Sequence, residues 1–279
     1  MTMNLVLQGP AGKLAQIAAI ADPARVVAVA EGVLRAEDVE AGERVRAAVS
    51  LAAYPAGVDA TFIGAGRALA DFRLVAMDMD STLITIECID EIADMQGLKA
   101  QVSAITEAAM RGELDFAASL ARRVALLEGL DAAALERVYD ERLRLSPGAE
   151  AMLSGVRRAG LKTLVVSGGF TFFTERLQQR LGLDYAHANV LEVREGKLTG
   201  KVTGGIVDAL EKKRTVERVC AELGVSTRQA IVMGDGANDL QMMSVAGLSV
   251  AFRAKPVVRA QADVALNFSG LDALLTILS

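Results

Sequence analysis

Three apolar runs in the later part of the chain, FRLVAMDMD (72–80), GLKTLVVSGG (160–169) and RQAIVMGDG (228–236), share a pattern: continuous hydrophobic residues that stop at Asp, Ser or Gly. Such runs predict buried strands of a parallel sheet, apolar on both sides because helices cover both faces. SPGAEAMLSGVRRAG, FFTERLQQRLG and KKRTVERVCAELG lie between them, with apolar positions at helical spacing. The alternation predicts an α/β fold with a doubly wound parallel sheet, in which ligands gather beyond the carboxyl ends of the strands. The three strand ends are therefore expected to share one pocket.

From about residue 90 to 147 the rhythm changes to consecutive helical patterns, IDEIADMQGL, QVSAITEAAMRG, DFAASLARRVALLEG and AAALERVYDERLR, before Pro147-Gly148 returns the chain to the sheet. This predicts a helical cap inserted directly after Asp78 and Asp80, placed to cover the pocket and exclude water. Residues 1–70 read as a separate small α/β unit: LVLQ, then KLAQIAAIA, VVAVAEGVLRA, RVRAAVSLAAY and PAGVDATF, with no catalytic cluster.

Composition narrows the partners. Apolar residues are 52% of the 279 and charged residues 23%, enough for a large core. A formal net charge of -5 offers no general attraction to nucleic acid or to an anionic membrane surface. No 18-residue apolar run occurs and MTMNLVLQGP lacks the pattern of a secretion signal, so a cytoplasmic location is expected. Cys88 and Cys220 have no CxxC spacing, which argues against a disulfide framework or zinc cluster, and the single histidine, His187, has no ligand spacing around it.

The candidate chemistry is carboxylate chemistry. If the first strand continued, Asp78 and Asp80 would share a side; a turn after Asp78 would instead let its carboxylate and a following carbonyl converge on an ion. Asp235 and Asp239 in GDGANDL supply further oxygen, a composition suited to Mg2+. A calcium-binding EF-hand loop is excluded by Leu83 and Ile89 in one register and Thr85 in the other. A carboxylate can attack phosphorus when a metal and a cation offset the phosphoryl charge. Ser167, Gly168 and Gly169 form a candidate anion cradle, and Lys212 or Lys213 offers the cation.

DMDSTL at 78–83, Ser167 in VVSGG, Lys212 in EKKRT and GDGANDL at 234–240 resemble the four motifs of the haloacid dehalogenase-like phosphatases. DMDSTLITIECIDEIA, ITEAAMRGELDFAASLARRVALL, VVSGGFTFF and GDGANDLQMMSVAGLSVAFRAKP are similar to the phosphoserine phosphatases within that family, over essentially residues 71–279. The resemblance implies Asp78 as nucleophile and Asp80 as proton carrier. Asp78, the Asp80 carbonyl and Asp235 would hold Mg2+, with Asp239 behind them. It implies phosphate contacts from Ser167, Gly168, Lys212 and Asn238, the lysine chosen over Lys213 by its spacing to GDGAND. Glu87 and Arg123 would take the amino and carboxylate groups of O-phospho-L-serine, and Met110 and Phe116 would give apolar walls. The implied reaction is hydrolysis of O-phospho-L-serine, the last step of serine synthesis. The partner is a small phosphomonoester, with no nucleic acid and no membrane, and a homodimer is left open. Residues 1–70 are open to being a shortened or divergent ACT-like domain. A phosphatase for another small phosphate, or a binding protein that kept the scaffold, are the competing readings.

Overall fold

The computed structural model describes residues 2–110 and 113–279. The chain begins with β1 (Met3–Gln8), α1 (Ala11–Ala18), β2 (Arg25–Ala30), β3 (Val33–Val39), α2 (Glu43–Ala53) and β4 (Asp59–Gly64). The strands pair antiparallel in the order β2-β3-β1-β4, a split βαβ arrangement. Leu5 and Leu7 on one face of β1 meet Leu14 and Ile17 of α1 and Val49 of α2, so each amphipathic element closes over the same small core.

The next strand, β5 (Leu74–Met77), is buried at every position. Four helices follow, α3 (Cys88–Asp94), α4 (Lys99–Met110), α5 (Phe116–Ala125) and α6 (Ala133–Arg137), and then the chain returns through α7 (Ala149–Arg158) to β6 (Lys162–Phe170). After α8 (Thr171–Leu181) comes a hairpin of β7 (Tyr185–Arg194) and β8 (Lys197–Thr203), then α9 (Ala209–Glu222) and β9 (Ala230–Gly234). The chain finishes with α10 (Leu240–Val245), β10 (Leu248–Phe252), α11 (Pro256–Arg259), β11 (Val264–Leu266) and α12 (Ala273–Ile277).

The sheet order is β11-β10-β9-β5-β6-β7-β8, parallel throughout except for the β7–β8 hairpin. Because side chains alternate along a strand, Val75, Met77, Val165, Ile231 and Met233 enter one core layer, while Leu74, Ala76, Leu164, Val166 and Val232 enter the other. Helices α7, α8 and α12 cover the first face through Met152, Phe173 and Leu274; α9, α10 and α11 cover the second through Val216, Met242 and Val258. The chain moves outward from β5 in one direction and then returns to β9 on its other side. That reversal opens a crevice at the carboxyl end of β5, where Asp78 follows.

The cap joins the sheet through two linkers that pair with each other. Ile84 bridges Leu145, the Ser146 amide donates to the Leu83 carbonyl (2.9 Å) and the Thr85 amide to the Arg144 carbonyl (2.9 Å). Arg142 reaches Glu91 at 2.6 Å and Asp94 at 2.7 Å, tying the second linker to α3. The β7–β8 hairpin, which the three strand-end runs did not reveal, supports the other side. Gly200, in a left-handed conformation (φ 73°), lets β8 approach the end of α5, since a Cβ there would come within 2.9 Å of Glu128 Cβ.

Asp59 ties the antiparallel sheet to the segment after β11. Buried to 1% exposure, its carboxylate accepts from the amides of Asn267 (2.7 Å), Phe268 (3.1 Å) and Ser269 (2.8 Å), and from Asn267 Nδ2 (3.2 Å). Asp59→Ala would leave these part-buried donors without their shared acceptor and is expected to cost ~1–3 kcal/mol, read as a lower urea midpoint. A midpoint equivalent to the parent's would show that this junction does not depend on the carboxylate.

Candidate active site

The strand run ends before its acids do. β5 stops at Met77; Asp78 is still extended (φ -67°, ψ 160°), and residues 79–83 turn back, with Ser81 at φ 56°. Of the two geometries open in the sequence, the turn is the one formed. The Ser81 amide donates to the Ile86 carbonyl (3.2 Å) and its hydroxyl to Glu87 Oε1 (2.6 Å), which holds a residue without glycine's freedom in the left-handed region.

Asp78 is 5% exposed and Lys212 is 1% exposed. Lys212 Nζ donates to Asp78 Oδ2 at 2.6 Å and to Asp239 Oδ1 at 2.8 Å. The other Asp78 oxygen accepts from the Met79 amide at 2.7 Å. Asp239 Oδ2 accepts from the amides of Asp235 and Gly236, both at 3.1 Å, and so shapes the loop that presents Asp235 while Oδ1 holds Lys212. Asn238 Nδ2 lies 3.4 Å from Asp78 Oδ2. Lys213, one position along the same helix, points away, 3.7 Å from Glu217. Helical geometry thus separates two residues of identical chemistry.

One ammonium serves two buried carboxylates, and the titration shifts follow from that inequality. Burial and the Asp239 charge raise the Asp78 carboxyl well above the ordinary range, against the opposing pull of Lys212. Burial acts to lower Lys212, yet Asp239 and Asp78 outweigh it and push the ammonium up. The two directions agree once the cluster is seen to carry excess negative charge. Asp235 is raised to about 7 by burial, Asp239 and Glu87, and Asp80 to about 8 by burial and Glu87. One Asp80 oxygen, Oδ1, is buried without a hydrogen-bond partner.

These features fit a cation. Asp78, Asp235 and Asp239 present carboxylate oxygens within 4.8 Å of one another, an all-oxygen set suited to a hard divalent cation. Across the crevice, Ser167 Oγ accepts from the Gly169 amide at 2.9 Å. A Cβ at Gly168 would fall 2.9 Å from Phe116 Cζ, and one at Gly169 would fall 3.0 Å from Asp80 Oδ2, so the two glycines let these side chains approach closely. Asn189, 1% exposed on β7, donates to the Gly168 carbonyl and accepts from the Val207 amide, both at 2.8 Å, bracing the cradle from behind.

Asp78, Asp80, Glu87, Phe116, Arg123, Ser167, Gly168, Asp235 and Asn238 line one cavity of about 140 Å3. Lys212 and Asp239 lie beneath it. Arg123 turns inward with its Nε unpartnered, facing Asp90, Glu87 and Asp80, while Arg122 is exposed. The Met110 side chain lies outside the described residues. Gly169 and Gly236 also line the cavity, as do Ile89, Leu120, Phe170 and Lys255, which were not picked out from sequence. The apolar three read as ordinary core positions; Lys255 had a visible signal, a cation just past a strand end in FRAKP.

A carboxylate cluster that could hold a divalent cation, a buried lysine and an anion cradle at the switch point of a capped parallel sheet define a class. A family model for haloacid dehalogenase-like hydrolases matches residues 72–247, and the chain belongs to that family. It is a phosphatase of the family. It is 58% identical over 212 residues to the phosphoserine phosphatase of Polaromonas sp., covering 74% of this chain and 90% of that one. Among solved structures it is similar to a hydrolase of the same family from Salmonella enterica serovar Typhi (33% identity, TM-score 0.90, covering 100% of this chain and 99% of that one). It is also similar to a probable phosphoserine phosphatase from Vibrio cholerae (34% identity, TM-score 0.84, 99% and 86% covered). No helix among the described residues is long and apolar enough to cross a membrane.

Lys212→Met should leave Asp78 and Asp239 unpaired, lowering phosphatase activity about 1,000-fold or more and lowering the melting temperature. Lys213→Met should leave activity within about twofold and stability within ~0.5 kcal/mol. Parallel assays and thermal melts test the assignment; equal effects of the two substitutions would refute it.

Proposed function

We propose that the protein hydrolyses O-phospho-L-serine to L-serine and phosphate through an aspartyl-phosphate on Asp78. The observation that carries this reading is the pairing of two neighbouring carboxylates in different surroundings: Asp78 against Lys212, and Asp80 raised to about 8. Asp78, the Asp80 carbonyl and Asp235, with Asp239 behind them, would hold Mg2+, which would supply charge compensation for the phosphoryl oxygens. Ser167, Gly168, Lys212 and Asn238 bind the transferring group and stabilise its charge.

In the first step an Asp78 oxygen forms a bond to phosphorus while the bond from phosphorus to the serine oxygen breaks, and protonated Asp80 gives its proton to that oxygen. In the second, Asp80 takes a proton from water as the water oxygen attacks phosphorus, and the bond to Asp78 breaks to release phosphate. Glu87 and Arg123 take the amino and carboxylate groups, with the fork of Arg123 suited to a carboxylate. Phe116 and Met110 serve as apolar walls. This reading makes residues 71–279, with the cap at about 90–147, the catalytic domain and residues 1–70 a separate small domain, ACT-like in outline. It assigns the enzyme to the cytoplasm and to serine synthesis, and is compatible with a homodimer.

Phosphate release from O-phospho-L-serine should require Mg2+, stop with a chelator and vanish in Asp78→Asn. A preference for phosphates lacking the amino or carboxylate group would sink the substrate assignment. Asp80 must carry its proton for the first step, so activity should fall as pH rises through about 8. Because the Glu87 charge helps raise Asp80, Glu87→Gln should move that fall to lower pH; a shift upward would contradict the assigned coupling.

A further inference from the structure

We propose that Lys255 is a substrate-positioning residue, the exposed cation at the pocket rim that draws and holds a phosphate dianion against otherwise acidic walls. Among the described residues, Asp78, Asp80, Glu87 and Asp235 line the cavity against two cations, Arg123 and Lys255. The Lys212 charge beneath them is engaged by Asp78 and Asp239. Arg123 faces Asp90, Glu87 and Asp80. The Lys255 ammonium has no ion pair or hydrogen bond within the chain among the described residues; the acid its charge acts on is Asp235, beside the cavity mouth.

Its place is fixed by the backbone. Lys255 follows β10, and its amide donates to the Asp235 carbonyl at 3.0 Å, so the residue is anchored to the loop that carries a proposed metal ligand. The side chain both lines the cavity and is exposed, which sets it at the mouth. A dianion entering a net acidic molecule meets its strongest repulsion there, and a permanent positive charge at the entrance offsets it. The ammonium needs no bond to the reacting phosphorus, so its effect belongs to capture and retention and should appear in KM.

The inference rests on the proposed hydrolysis of a small phosphate, and its test reads binding apart from turnover. Inhibition by inorganic phosphate and kcat/KM would be measured with the Mg2+-loaded enzyme at low and high salt for Lys255→Arg, Lys255→Met and Lys255→Glu, with Lys213→Met as control. The Arg variant should match the parent. At low salt the Met variant should lose about fivefold and the Glu variant about 25-fold in phosphate affinity and kcat/KM, with the loss in KM and a flatter salt dependence. Phosphate affinity and salt dependence unchanged in both Met and Glu variants would overturn the proposal. So would losses confined to kcat. If O-phospho-L-serine is not the substrate, the parent fails on it while the graded effect on inorganic phosphate remains, which separates the two failures.

Discussion

The site depends on one shared interaction: a fully buried ammonium, Lys212, placed between Asp78 and Asp239. Two carboxylates and one lysine cannot neutralise each other. The residual negative charge makes the cluster a cation site, and the same lysine keeps one Asp78 oxygen fixed. Removing solvent strengthens each of these effects, since charges in a dry crevice are poorly screened. The fold can be understood as the means of keeping that arrangement buried and rigid.

Three segments from distant parts of the sequence meet there because the sheet reverses at β5. Registers place Met77 beside Val165 and Met233, so the residues that follow these three positions lie at the same end of the sheet. Gly168 and Gly169 allow Phe116 and Asp80 to approach the cradle, and Asn189 holds the Gly168 carbonyl away from it. The cap is positioned from two sides, by the paired linkers at Ile84 and Leu145 and by the β7–β8 hairpin under α5. Arg123 and Glu87 are thereby brought to the same cavity as Asp78.

Much of this was legible in the chain. The apolar runs located β5, β6 and β9, because strands buried on both faces leave an unmistakable hydrophobic pattern. The ordered motifs pointed to Asp78, Asp80, Ser167, Lys212 and Asp235, and the structure brings these around one crevice. Other features were hidden for physical reasons. The end of β5 at Met77 depends on the left-handed turn at Ser81, where no glycine signals it. The β7–β8 hairpin is half exposed and mixed in polarity, so it lacks a strong period. Asn189 appears as one polar residue in a strand, and only the tertiary structure gives its amide two partners. The contrast between Lys212 and Lys213 is one of helix phase, which sequence spacing alone leaves nearly balanced.

The claim that Asp78 is the group set up to attack phosphorus can be tested by trapping the covalent enzyme. The protein would be mixed with O-phospho-L-serine and Mg2+, quenched in acid during turnover and digested, and the peptide spanning Leu74 to Leu83 sequenced by mass spectrometry. The account predicts an acid-stable, base-labile phosphoryl group on Asp78 that disappears in Asp78→Asn. A phosphoryl group on Asp80, Ser81 or Thr82 that persists in Asp78→Asn, with turnover intact, would contradict it.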